Sequence, residues 1–341
     1  MKQKRLRKQL LDLLKIEVSL LLIIVILRSV DISKLWEVLR QASPWLLLAA
    51  LAVSFAGVVL RAYRWQILLH DQGVNASMRE LTVLWFVSFL FTNLLPTGIG
   101  GDAIKMYELS QSSERGAEAV SSVLVDRFMG LFSLQAIGLL ALIFSWRIVP
   151  SPIVLLTLVV FGASILAAWV VSYRRLWDWM ARNVPFFDRL LAIKQVRSLI
   201  DSLQSYSPSA LLRSFSVGIA FNVLLITMNV LIGTALGINV PVPFYMISVP
   251  LTSAVLILPI SFAGLGVREW TYMGLFSQVG VTKEAAVTLS LLVYALGTMA
   301  PGIVGGVLYI LRGARDVVAG EDSADATHAD GHLAQQSADY D

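Results

Sequence analysis

Asn93-Leu94-Leu95-Pro96-Thr97-Gly98-Ile99-Gly100-Gly101-Asp102-Ala103-Ile104-Lys105 sits in the middle of an apolar stretch, 80–117, and breaks it. Pro96 stops a helix because its ring clashes with the preceding turn and it has no N–H to donate. The glycines allow backbone angles closed to other residues. A new helix is predicted to start near Gly101, so the stretch reads as helix, break, helix. It is either a re-entrant hairpin or a pair of short, broken spans.

A second stretch, 241–283, repeats the plan. Leu-Leu-Pro at 94–96 is matched by Ile-Leu-Pro at 257–259. Counting from each Pro, the fifth residue is Gly (Gly101, Gly264), the ninth a cation (Lys105, Arg268) and the eleventh aromatic (Tyr107, Trp270). Glu118-Ala119 and Glu284-Ala285 then open the next apolar runs.

Working outward, continuous apolar spans are predicted near 13–29, 43–63, 118–146, 150–172, 208–235 and 285–311. The chain is 57% hydrophobic and 15% charged, with a mean hydropathy of +0.73, too apolar for one soluble core. The fold class that follows is an all-α integral membrane protein, with about six full spans and two interrupted hairpins. Cys is absent, and of three His residues two, His328 and His332, lie in the polar C-terminal segment. Disulfides, thiol chemistry and a His or Cys metal site are therefore not expected, and no cofactor motif is present.

Charge sets the orientation. All 27 Lys and Arg lie at or before Arg315, while 316–341 holds seven of the 23 acids, so residues 1–315 carry 27 minus 16, or +11. Basic excess in short loops of such a chain marks cytoplasmic faces and does not point to nucleic acid as a partner. The N-terminal cluster Lys2, Lys4, Arg5, Arg7 and Lys8 precedes a retained first span, since no small-residue cleavage site follows Leu27. The N-terminus, Arg61/Arg64/Arg79, the 173–213 segment and Arg312/Arg315 all fall on one side, giving cytoplasmic termini in the inner (cytoplasmic) membrane. Segment 28–42, with Arg28, Lys34 and Arg40, is the exception. Parity then makes 80–117 enter and leave on the cytoplasmic face and 241–283 dip in from the opposite one. The expected organisation is a membrane domain over 1–315 containing two inverted repeat units, about 43–146 and 208–311. An amphipathic cytoplasmic segment, 173–207, links them, and 316–341 forms a disordered acidic tail.

The candidate site residues follow from this plan. Asn93, Thr97, Gly98, Gly100, Gly101, Asp102 and Lys105 belong to the first break, and Ser261, Gly264, Gly266, Arg268 and Glu269 to the second. A helix start with free N–H groups and a cation one turn inside suits an anionic headgroup. The structural alternative is a pair of turns, with Asp102 capping its helix and the cations pairing acids. Asp126-Arg127 lies inside an apolar span, where adjacent charges on a helix point in different directions and each needs a partner. Arg127 either completes a cationic cavity with Lys105 and Arg268, or joins Asp126 in a static ion network. Arg61 and Arg64, beside Tyr63 and Trp65, read as an interfacial anchor or a headgroup contact. Asn222 and Asn229, seven apart, share a helix face and suit interhelical hydrogen bonds.

The ordered set Arg61-Ala-Tyr-Arg64-Trp65, Asn93-Leu-Leu-Pro96-Thr-Gly-Ile-Gly-Gly101-Asp102, Val125-Asp126-Arg127 and Pro259-Ile-Ser-Phe-Ala-Gly264-Leu-Gly266-Val-Arg268-Glu269 resembles the lysylphosphatidylglycerol synthase transmembrane region, a flippase-like family, over about residues 10 to 315. What the resemblance implies is movement of a phospholipid or lipid-linked intermediate, including polyprenyl-phosphate or glycolipid species, between leaflets. In two-part relatives aminoacyl transfer belongs to a separate soluble domain. Nothing after Arg315 is expected to supply one, so the chain reads as a transporter and not an enzyme. The alternative reading is a membrane enzyme of polyprenyl-phosphate or glycolipid metabolism with Asp102 or Asp126 as base or metal ligand. A third is a scaffold for a lipid-modifying enzyme partner.

Overall fold

The structure is a computed structural model that describes residues 31–95, 100–112, 116–145, 149–173, 179, 183, 194–257, 261 and 264–311. The expected span at 13–29, the expected tail at 316–341, Thr97 and Gly98, and much of 173–193 lie outside the described residues. Among the described residues the regular structure is helical, with no strand. The helices are α1 (Ile32–Arg40), α2 (Pro44–Asp71), α3 (Met78–Leu94), α4 (Gly100–Ser112), α5 (Gly116–Ser145), α6 (Ser151–Ser172), α7 (Lys194–Gln204), α8 (Pro208–Ala235), α9 (Val242–Ile257), α10 (Val267–Phe276) and α11 (Lys283–Leu311).

Among the described residues four helices, α2, α5, α8 and α11, are long and apolar enough to cross a bilayer. At 28 to 30 residues each measures about 42–45 Å, more than the roughly 30 Å of hydrocarbon. The 22-residue α6 is shorter, and Leu155, Val159 and Leu166 lie exposed along it. Further large apolar side chains face outward from α5 and α11, among them Phe144, Ile303 and Ile310. Contiguous apolar exposure of this kind suits lipid as solvent. The chain is a membrane-embedded, multi-pass helical protein.

The helix α2 is longer than hydropathy predicts, running to Asp71 and not stopping at residue 63. Its two extra turns stay helical because Arg64 and Trp65 find buried partners on α5. The interrupted stretches are helix pairs, α3 with α4 and α9 with α10, whose members pack on each other. With 17, 13, 16 and 10 residues, these helices measure about 26, 20, 24 and 15 Å. None matches the hydrocarbon thickness. Gly264 and Gly266 adopt φ of 77° and 81°, open to glycine and strained for other residues, so the second break needs both.

The expected amphipathic segment is partly described and does more than rest on lipid. α7 packs on α5, with the Ser202 and Ser121 hydroxyls 2.6 Å apart. The hydroxyls of Ser202 and Ser205 also donate to Gln72 Oε1 at the end of α2.

The centre of the fold is the pair α2 and α8, which match closely. Both have 28 residues and start at Ser-Pro, at Ser43-Pro44 and Ser207-Pro208. Both end in a glycine at φ 70°, Gly73 and Gly237, and each glycine opens a similar tripeptide, Gly-Val-Asn at 73–75 and Gly-Ile-Asn at 237–239. The Val74 N–H donates to the Leu69 carbonyl, and the Ile238 N–H to that of Gly233, which closes both helices with the same terminal bond. The two helices run antiparallel. Ser43 N–H donates to the Ala235 carbonyl at one end, and at the other Ser207 donates through its N–H and hydroxyl to the Asp71 carboxylate at 2.8 and 2.6 Å.

The long helices α5 and α11 each pack on a helix pair distant in sequence. α5 lies on α9, where Gly138 meets Pro250 and Gln135 Nε2 donates to the Pro250 carbonyl. α11 lies on α3, where Gly302 and Gly305 bring its backbone against Phe89 and Phe86.

Candidate functional site

Between these elements lies a cavity of about 330 Å³ whose wall draws on all eight central helices. α2 contributes Arg61 and Arg64, α3 Trp85, Ser88, Phe89 and Thr92, and α4 Asp102 and Lys105. α5 contributes Asp126, Arg127 and Gly130, α8 Phe221 and Asn222, α9 Ser253, α10 Arg268, and α11 Tyr294, Gly297 and Thr298. Asn222 lies near the middle of the 28-residue α8, so the cavity reaches the mid-depth of the longest helices.

Its charges are organised in pairs. Arg64 donates from Nε and Nη2 to the two oxygens of Asp126, at 2.7 and 2.9 Å, a bidentate bond between buried groups. Gly130 makes room for it, since a Cβ there would stand 2.6 Å from Arg64 Nη1. Asp102 is shared between Lys105, at 2.8 Å, and Arg127. Adjacent Asp126 and Arg127 therefore do point apart, the first to α2 and the second to α4. Lys105 is 1% exposed, with its ammonium 3.5 Å from the centre of the Trp85 ring. Arg61 lies over Phe221 at 4.3 Å and against Trp85 and Phe89, both at 5.3 Å. Arg268 lies over Tyr294 at 4.3 Å. Aromatic faces thus help to hold Lys105, Arg61 and Arg268 in place.

The anchor reading of Arg61 and Arg64 is corrected. Arg64 is 3% exposed and lies seven residues, about 10 Å, before the end of α2, and both side chains turn into the cavity. Of the anion cradle expected at the start of α4, Thr97 and Gly98 lie outside the described residues. Gly100 and Gly101 are buried against α3, and a Cβ at Gly101 would lie 2.3 Å from the Ser88 carbonyl oxygen. These glycines let two helices touch, and the cavity's positive character comes from side chains. Asp102, in the first turn of α4, holds two cations.

Arg61, Arg64, Asp102, Lys105, Asp126, Arg127 and Arg268 thus share one cavity wall. Asn93 stands one bond behind it, accepting from the Tyr294 hydroxyl at 2.7 Å and donating to the Thr298 carbonyl at 3.3 Å. There α11 opens from α-helix to a wider turn over Ala295–Met299, a distortion that recurs at functional sites. Gly100, Gly101, Ser261, Gly264, Gly266 and Glu269 are not in the wall. Glu269 accepts from the Gly266 N–H at 2.6 Å and from the Ser290 hydroxyl at 3.3 Å. Asn222 donates across to the Gly130 carbonyl and Ser133, and Tyr272 donates to Asn229, so both asparagines bond between helices.

Sequence reasoning missed the aromatic part of the wall. Trp85 and Phe89 are four apart on α3, and that helical spacing was the available signal. A separate apolar pocket of about 30 Å³ shares Arg61, Phe89 and Phe221 with the cavity wall and is lined further by Val53, Gly57, Val58 and Leu224 of α2 and α8.

Known proteins of similar sequence are membrane proteins. A UPF0104 membrane protein of Methanothermobacter thermautotrophicus is 24% identical over 300 residues, covering 81% of this chain and 86% of the relative. A second from the same organism is 24% identical over 271 residues, covering 73% and 80%. A UPF0104 membrane protein of Pyrococcus horikoshii is 20% identical over 321 residues, covering 87% and 96%. Residues 13–305, which include every described wall residue of the cavity, match the family described as the lysylphosphatidylglycerol synthase TM region, and the chain belongs to that family.

Proposed function

We propose that this chain is a lipid transporter of flippase type in the cytoplasmic membrane, moving a phospholipid or lipid-linked intermediate between leaflets with its headgroup in the cavity and its tails in the bilayer. The observation that carries this reading is the cavity itself: a basic, mid-depth chamber that shares part of its wall with a small apolar pocket between α2 and α8. Polar chambers at the junction of inverted repeats with broken helices are a recurrent transporter plan. Support for such a repeat comes from the antiparallel α2 and α8 with matching ends, and from the exchange of α5 and α11 between hairpins. In this reading α3–α4 and α9–α10 are re-entrant hairpins entering from opposite faces, with the basic ends of the helices and both termini cytoplasmic.

The reading contains no chemical step. An enzyme using Asp102 or Asp126 as base or metal ligand has less support, because each carboxylate already holds a cation at hydrogen-bond distance. The test is reconstitution of the purified chain into vesicles containing a labelled phospholipid, with chemical quenching of the outer leaflet. Exchange faster than in protein-free vesicles is expected for at least one lipid class. Protein-free rates across phosphodiester, phosphomonoester and aminoacylated lipids would overturn the proposal.

A further inference from the structure

We infer that the lipid head this cavity takes carries two or more negative charges, a phosphomonoester or diphosphate, and not a singly charged phosphodiester or an aminoacylated head of net positive charge. The inference rests on the transport reading and names the substrate class of the same site. Its basis is charge balance within one wall.

Among the described residues the wall holds four cations, Arg61, Arg64, Lys105 and Arg127, against two carboxylates, Asp102 and Asp126, an excess of two with Arg268 left out of the count. Asp126 is committed to Arg64, and Asp102 is divided between Lys105 and Arg127, so one carboxylate serves two cations. Among the described residues Arg61 has no carboxylate partner and is held by three aromatic faces. Arg64 Nη1 is buried with no hydrogen-bond partner, although the other two donor atoms of its guanidinium are used.

Uncompensated positive charge in a low-dielectric chamber is unfavourable, and a counter-ion entering it removes the penalty. A phosphodiester brings one negative charge and leaves the chamber positive. A phosphomonoester brings about −1.5 to −2 near neutral pH and three strong acceptor oxygens, enough to balance the remainder. Guanidinium groups, with planar forks of donors, suit such oxygens. A lysyl ester of phosphatidylglycerol adds two ammonium groups to one phosphate and would enter as a further cation.

The experiment compares lipids with the same dioleoyl tails bound to the full chain in detergent: phosphatidic acid, phosphatidylmethanol, and lysyl-phosphatidylglycerol. Phosphatidylmethanol differs from phosphatidic acid by one methyl cap that removes one charge at nearly constant size. Native mass spectrometry reads relative affinity, and inorganic pyrophosphate alone is the soluble arm. The expected result is phosphatidic acid binding at least about tenfold tighter than phosphatidylmethanol, with the lysylated lipid weakest. Arg61→Gln should shrink that ratio severalfold, and the wild-type comparison stands even if this variant does not fold.

Equal binding of phosphatidic acid and phosphatidylmethanol, or tightest binding of the lysylated lipid, would overturn the inference. Pyrophosphate bound as tightly as phosphatidic acid would also overturn it, by assigning the site to a soluble anion. Leaflet exchange of all three lipids at one rate would sink this inference and leave the transport reading standing. Absence of both binding and exchange for every lipid would remove the two together.

Discussion

Arg64 and Asp126 form the pair on which the cavity wall hangs, and the energetics of such a pair are asymmetric. Two buried charges facing each other contribute little net stability, but a buried charge deprived of its partner is costly, by about 3–5 kcal/mol. Arg64→Leu strands Asp126 and should lower the melting temperature of the detergent-solubilised chain sharply, as should Asp126→Leu. The double variant, which removes both charges, should recover much of the loss. Additive losses in that cycle would mean the two groups do not interact in the folded protein. This pair was only half legible in the sequence. Asp126 inside an apolar span announces a need for a partner, but Arg64 sits beside Tyr63 and Trp65, the composition of an ordinary interfacial belt. What distinguishes it is tertiary. Asp126 lies 62 positions further along the chain, and the neighbouring Trp65 indole donates at 2.9 Å to Ser122, one turn from Asp126 on the same helix. Hydropathy averages over neighbours in sequence and has no access to either contact, so it ends the helix at residue 63, and α2 runs on to Asp71.

At the scale of the element, the hairpins were legible because Pro and Gly act locally, and what they break is backbone geometry. Pro96 with Gly98, Gly100 and Gly101 predicted an interruption, and α3 ends at Leu94 and α4 starts at Gly100. The role of the glycines was less legible, since a glycine that admits an anion and one that admits a neighbouring helix look alike in sequence. The geometry separates them by test. Gly101→Ala would push a methyl group to within 2.4 Å of the Ser88 and Thr92 hydroxyls and 2.3 Å of a carbonyl, forcing α4 off α3. A loss of about 1–3 kcal/mol is expected, as in other overpacked sites. Gly274 in α10 faces open space, and Gly274→Ala should be neutral or stabilising by about 0.5–1 kcal/mol through backbone entropy. Thermal unfolding of both variants checks the contrast. Equal melting temperatures would show that the hairpin does not depend on this close approach.

For the whole molecule, the proposed inversion of the two halves is the point on which the transport reading turns. The internal likeness read from the two Pro-Gly breaks has a firmer counterpart in α2 and α8, whose Ser-Pro starts and Gly-Val-Asn and Gly-Ile-Asn ends recur at one constant spacing of 164 residues. These signals were present in the sequence, but each is only two or three residues long, and their meaning comes from helix caps that folding makes visible. Val74 and Ile238 are buried under their helix ends, while Asn75 and Asn239 are exposed at equivalent points of the two connections. Because α2 and α8 run antiparallel side by side, these two asparagines stand at opposite ends of the central helix pair. A bilayer perpendicular to that pair must place them on opposite sides. The chain contains no Cys, so Asn75→Cys and Asn239→Cys each introduce a single reactive thiol. With an impermeant maleimide applied to sealed vesicles of one orientation, one variant should label without lysis and the other only after it. If both label from the same side, the halves are not inverted, both hairpins enter from one face, and no route leads from one leaflet through the cavity to the other.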